Sequence, residues 1–129
     1  MTEEYLAHSV KEGCPAQSYR DHVSAVTERA VQYATEAGRY CALGSAQLEL
    51  VARQSGQLHD LGKLDDENQA VLRNPGGKQR HLPHNHVDAG AAALLSEENL
   101  YSALAVYSHH RGLPNMAEEG NRGNAQFRD

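Results

Sequence analysis

The pair His59-Asp60, inside the string LHDLGK at 58–63, sets a neutral nitrogen ligand beside a carboxylate whose two oxygens can bridge two ions. Three further histidine positions accompany it: His22 well upstream, His86 downstream, and the doublet His109-His110. Neighbouring residues on a helix point about 100° apart, so a histidine doublet can serve two ions or two sides of one site. A lone His-Asp dipeptide would be weak evidence. The chain has eight histidines in 129 residues, and their placement at the ends of successive amphipathic segments argues for metal binding and metal-assisted hydrolysis.

The elements that must position these side chains read as helices. Val23, Val26, Ala30, Tyr33 and Ala37 recur at helical spacing from about Tyr19 to Ala37, with His22 at the edge of the stripe and Gly38 as a stop. Ser45 can cap a second helix whose inner face carries Leu48, Val51, Ala52, Ser55, Leu58 and His59. Gly62 breaks it, and Asp65 and Asp66 open a short third helix through Leu72 that ends at Asn74-Pro75-Gly76-Gly77. Residues 78–85 form a loop. A fourth helix is expected from His86 to about Leu95, rich in small residues, and a fifth from about Glu97 to His110. Residues 1–17 read as an irregular entry and 111–129 as a polar tail, leaving a helical bundle over 18–110 within a single domain, 1–129.

Composition agrees with an all-α class. Aromatic residues make up only 5% of the chain and Trp is absent, so the core must come from Leu, Val, Ala and a few Tyr. No run of apolar residues is long enough to span a bilayer, and the N-terminus lacks the pattern of a signal peptide, which points to a cytoplasmic protein with no membrane partner. Cys14 and Cys41 form no CxxC pair and read as small, partly buried side chains. The net charge of −5 counts against a generally basic nucleic-acid surface.

His22, LHDLGK, the segment HVDAGAAALL from His86, and YSHHRGLPN at 107–115 together resemble the HD nuclease domain of the type I CRISPR-associated effector helicase-nuclease, from about His8 to Asn115. The resemblance implies an HD-domain helical bundle that cleaves single-stranded DNA. It implies as cofactor two divalent metal ions of the Mn, Mg, Fe, Co or Ni class. It implies as partners a helicase domain or subunit and a crRNA-guided surveillance complex. By the same resemblance His22, His59, Asp60, His86, His109 and His110 are the metal ligands. Asp60 and Lys63 are then the catalytic residues, with the ammonium of Lys63 neutralising phosphate charge as it develops. Lys78, Arg80 and Arg111 could guide the backbone of the strand. The family completes its cluster with an aspartate on a helix beyond the histidine doublet. Here the only aspartate after that doublet is Asp129, in a glycine- and asparagine-rich stretch. The resemblance therefore implies a domain truncated at its C-terminus, with weakened metal binding and exposed apolar surface that favours self-association.

Two other functions compete with nuclease activity: an HD phosphohydrolase acting on a nucleotide or cyclic nucleotide, and a catalytically silent metal-binding interaction module. The chain reads HHRGLPN where cyclic-dinucleotide phosphodiesterases of the superfamily carry a GYP signature. His8, His81 and His84 fit better as ordinary structural or surface histidines than as ligands. Asp65, Asp66, Glu67, Glu97 and Glu98 fit as acids near helix N-termini.

Overall fold

The computed structural model describes residues 4–42 and 44–110. A short antiparallel hairpin, β1 (Leu6–His8) and β2 (Gln17–Ser18), leads into α1 (Tyr19–Gly38). Then come α2 (Ala46–Leu58), a 3-10 turn (Leu61–Leu64), α3 (Asp66–Arg73), α4 (Asp88–Ser96) and α5 (Leu100–Ser108). The protein is mostly helical, as expected, but the entry segment is more ordered than its composition suggests. Gly13 turns the chain with φ +77°, and Lys11 and Cys14 exchange backbone hydrogen bonds, which closes the hairpin.

Local chemistry explains the helix boundaries. Ser18 caps α1, its hydroxyl accepting from the Asp21 amide at 3.0 Å, and Asp65 caps α3 by accepting from the Glu67 and Asn68 amides. Ser45 stands at the cap position of α2 but its side chain accepts no backbone amide there. The fourth helix begins two residues later than expected, because Asn85 accepts from the Val87 amide and holds His86 in a turn ahead of it. The fifth begins at Leu100, after Glu98 takes φ +60° in a tight connection from α4. Cys14 and Cys41 are exposed, correcting the expectation of partial burial: both lie in connections outside the helix packing. The polar tail, Arg111 and the Gly112-Leu113-Pro114 segment lie outside the described residues. No helix among the described residues is long and apolar enough to cross a membrane.

The fully buried apolar core is small and sits between α4 and α5, where Val87, Ala91, Leu94, Ala103, Val106 and Tyr107 pack with Leu58 against them. The stripes of α1 and α2 behave differently. These two helices cross closely where Gly56 meets Thr27, yet their apolar residues are at most half-buried. Tyr33 remains 57% exposed and Leu48 38%. They line an open trough instead of a sealed interior.

Two buried amides tie the remaining pieces together. Gln69 accepts from the Leu6 N–H through Oε1 and donates through its amide nitrogen to the carbonyls of Leu6 and Lys63, the latter at 2.7 Å. Asn68 donates to the carbonyls of Gly62 and His84 and accepts from the His84 amide. These bonds join β1, the 3-10 turn and the 78–85 loop to α3, since a buried backbone group must find a partner.

Gly90 places α4 against the end of α2 so closely that a Cβ there would collide with the Leu58 carbonyl, which is backbone and cannot swing aside. Gly90→Ala should therefore destabilise the fold by about 1–3 kcal/mol, the usual cost of overpacking. Urea unfolding would register this as a lower midpoint with an unchanged slope, and a midpoint equal to wild type would contradict the packing described.

Candidate metal centre

Asp60 follows the C-terminus of α2, and its side chain is only 2% exposed. Its two oxygens face two different sets of donors. Oδ2 lies 3.1 Å from His22 Nε2, 3.3 Å from His59 Nε2 and 2.7 Å from Lys63 Nζ. Oδ1 faces His86 Nε2 at 3.6 Å and His109 Nε2 at 3.8 Å, and it has no hydrogen-bond partner among the described residues. His110 completes the second set, its Nε2 2.9 Å from that of His86.

Three of the rings are held at Nδ1 by neighbouring backbone or side-chain oxygens. His59 Nδ1 donates to the Gly56 carbonyl at 2.8 Å, and His109 Nδ1 donates to the Val106 carbonyl, each bonding one turn back on its own helix. His22 Nδ1 meets Gln17 Oε1 at 3.2 Å, so β2 orients the first ligand of α1. With Nδ1 engaged outward, each Nε2 is turned toward Asp60, which is the orientation expected of imidazoles positioned for a metal. His22 Nε2 and His59 Nε2 are 3.1 Å apart, two acceptor positions beside a carboxylate oxygen. Such a group is favourable only with positive charge among it.

Electrostatics agree. Burial opposes ionisation of Asp60, but the imidazoles of His109 and His59 and the Lys63 ammonium outweigh it and hold the carboxyl well below the usual carboxylate range. The Asp60 carboxylate in turn raises the His109 pKa, against a smaller effect of burial. Burial lowers His22 and His110, and pushes His86 down to about 4. In the metal-free protein the charge of Asp60 is thus balanced by Lys63, with His109 drawn toward its protonated form, while burial favours the neutral form of His22, His86 and His110.

Two groups could hold a metal ion: His22, His59 and Asp60, and Asp60, His86, His109 and His110. An orphaned buried carboxylate oxygen and a set of imidazole nitrogen donors fit a borderline transition metal better than an all-oxygen ion. All six residues expected as ligands are therefore brought together, and Lys63 joins them. Lys78 lies instead in a separate shallow pocket with Glu67, Val71 and Asn74, and Arg80 is exposed; neither lines the cleft at the cluster. Arg111 lies outside the described residues.

One participant was unexpected. His8 lines the same cleft and packs edge-on against His22, ring centroids 4.7 Å apart. It sits on β1, and nothing in a three-residue strand announces its direction in advance. His84 pairs with Glu67 at the surface and His81 is exposed, in keeping with surface roles. Comparison with family models, with curated proteins and with solved structures finds no match to this chain.

The lowered histidines give the metal-free protein a defined pH response. His86 is protonated only near pH 4 when folded, whereas an unfolded imidazole protonates near 6.5. Between those values the unfolded state binds more protons, so stability is full above about pH 6.5 and declines as pH falls toward 4. His8, His22 and His110 shift the same way, and His109 opposes them in part. Asp60 remains ionised throughout that window. With chelator present, the urea midpoint should fall between pH 7 and pH 5, and His86→Gln should flatten the slope; a midpoint that rises on acidification would contradict the burial of neutral imidazole.

Proposed function

We propose that this chain is a divalent-metal-dependent phosphoester hydrolase with an HD-type centre. In this reading His22, His59 and Asp60 would hold one ion, and Asp60 with His86, His109 and His110 would hold a second. The observation that carries it is the position of Asp60, a buried carboxylate whose two oxygens each face a separate set of imidazoles. Divalent ions there would supply charge neutralisation for phosphoryl oxygens and a hydrolytic water acidic enough to react near neutral pH. Lys63, freed from sole responsibility for the charge of Asp60, can offer its ammonium to substrate phosphate at the same mouth. Asp60 raises the proton affinity of His109, and a ligating imidazole nitrogen must be unprotonated, so acidification should weaken metal uptake.

The substrate proposed first is the phosphodiester backbone of single-stranded DNA, in type I CRISPR interference in the cytoplasm, with a helicase domain or subunit and a crRNA-guided surveillance complex as partners. The resemblance of the four motifs supports this. A second reading, hydrolysis of a nucleotide or cyclic nucleotide, is favoured by the cleft itself: among the described residues Lys63 is the only lysine or arginine lining it. A strand running through it would find few counter-charges along its backbone.

The deciding experiment incubates the purified chain with Mn, Mg, Fe, Co and Ni ions and offers circular single-stranded DNA beside a panel of nucleotides and cyclic nucleotides, with metal content measured on the same samples. Metal-dependent cleavage of the DNA supports the nuclease, and turnover confined to the panel supports the second reading. Bound metal without turnover of any phosphoester would identify a silent metal-binding module and overturn hydrolysis. Loss of an outer-shell partner typically costs about 10–100-fold in metal affinity or activity. Asp60→Asn, which alters a ligand common to both sets, should cost more than that in both. Lys63→Ala should lower turnover while retaining metal, and a variant with wild-type kinetics would remove Lys63 from the reaction.

A further inference from the structure

The cleft that opens on the histidines does not end with them. Its volume is about 700 Å³, and it continues away from the cluster between α1 and α2, walled by Val26, Ala30 and Ala34 on one side and Val51 and Ala52 on the other, with Ala105 of α5 contributing. At 1.5 Å per residue, the stretch of α1 from His22 to Ala37 is about 20 Å long. Ser55 offers no spare donor, because its hydroxyl already donates to the Val51 carbonyl at 2.7 Å. Beyond the cluster end, the described lining carries no charged side chain. The site is thus strongly polar and metal-competent at one end and predominantly aliphatic along the rest, with the Tyr33 ring in the wall toward its far end.

We infer that this trough is a binding site for an uncharged apolar group carried by a phosphoester whose phosphate lies at the His/Asp cluster. The walls have half-buried apolar surface that gains by being covered, and no cation to compensate a second phosphate. A ligand with charge confined to one end and apolar bulk at the other satisfies both halves. Only the position of the phosphate rests on the hydrolase reading; the apolar half follows from the trough itself. The length of the trough assigns the group as an extended aliphatic chain, since a planar base would cover only the part nearest the cluster.

The test is a binding series that does not require turnover. Manganese-loaded protein is titrated calorimetrically with methyl-, butyl- and hexylphosphonate, with thymidine 5′-phosphate alongside. If the chain enters the trough, affinity rises by about three- to fourfold per methylene. Ala52→Asp, which places a carboxylate in the wall, should flatten the series and leave methylphosphonate binding as in wild type. Ala30→Gln on the opposite wall should weaken hexylphosphonate selectively, and the melting transition shows that each variant is folded. A gain of hexylphosphonate over methylphosphonate, lost in Ala52→Asp, supports the chain in the trough, and a gain confined to the nucleotide overturns it in favour of a base. Equal affinity across the series and the nucleotide in protein that binds methylphosphonate overturns the trough and leaves the hydrolase reading intact. A steep series without hydrolysis of any phosphoester does the reverse. Absence of phosphonate binding to metal-loaded protein overturns both.

Discussion

A single buried negative charge organises this molecule. Asp60 is almost wholly removed from water, and an isolated carboxylate there would simply take up a proton. It remains ionised because Lys63 and an array of imidazoles surround it, contributed by α1, the ends of α2 and α5, and the turn before α4. Folding must therefore bring distant parts of the chain to one point, and the cationic demand at that point can be met by protons, by an ammonium or by metal. The same constraint that makes the centre costly without compensation makes it receptive to a divalent ion.

The scaffold behind this charge relies on close backbone approach more than on bulk. Gly62 sits against the His86 backbone, where a Cβ would lie 2.6 Å from Cα, and its N–H donates to the His86 carbonyl at 3.1 Å. The turn carrying Asp60 and the residue heading the second donor set are thus joined directly. Gly90 does the same for α4 and the end of α2. Asn68 and Gln69 complete the frame with amide hydrogen bonds in place of apolar contacts, which is how a chain with few aromatic residues can fix loops beside a functional site.

Much of the centre was legible before any coordinates, for an identifiable reason. His22 falls at the edge of one helical stripe, His59 on the inner face of the next, and His109-His110 close another, so periodicity indicates which way they face. His8 was not legible, because a strand of three residues has no period and its partner Gln17 is set by a hairpin lacking a strong turn signature. Asn68 and Gln69 were equally silent: two polar residues in a short acidic helix look solvated until the loops that need their amides are in place. The delayed start of α4 hung on the Asn85 side chain capturing a backbone amide, a local competition that a hydrophobic pattern does not register. The stripes of α1 and α2 were located correctly, yet a stripe states only which residues share a face and not whether anything covers it.

The hydrogen bonds from His59 and His109 to the carbonyls of Gly56 and Val106 anchor each ligand to the terminal turn of its own helix. Helix ends are ordinarily the first places to fray, so each ring is only as well aimed as the last turn beneath it is closed. Ion capture and terminal-turn opening are then opposing equilibria. Ions that hold these rings, one in each donor set, would slow amide hydrogen exchange at the ends of α2 and α5 more than in their middles, extending the rigid part of each helix to the edge of the centre.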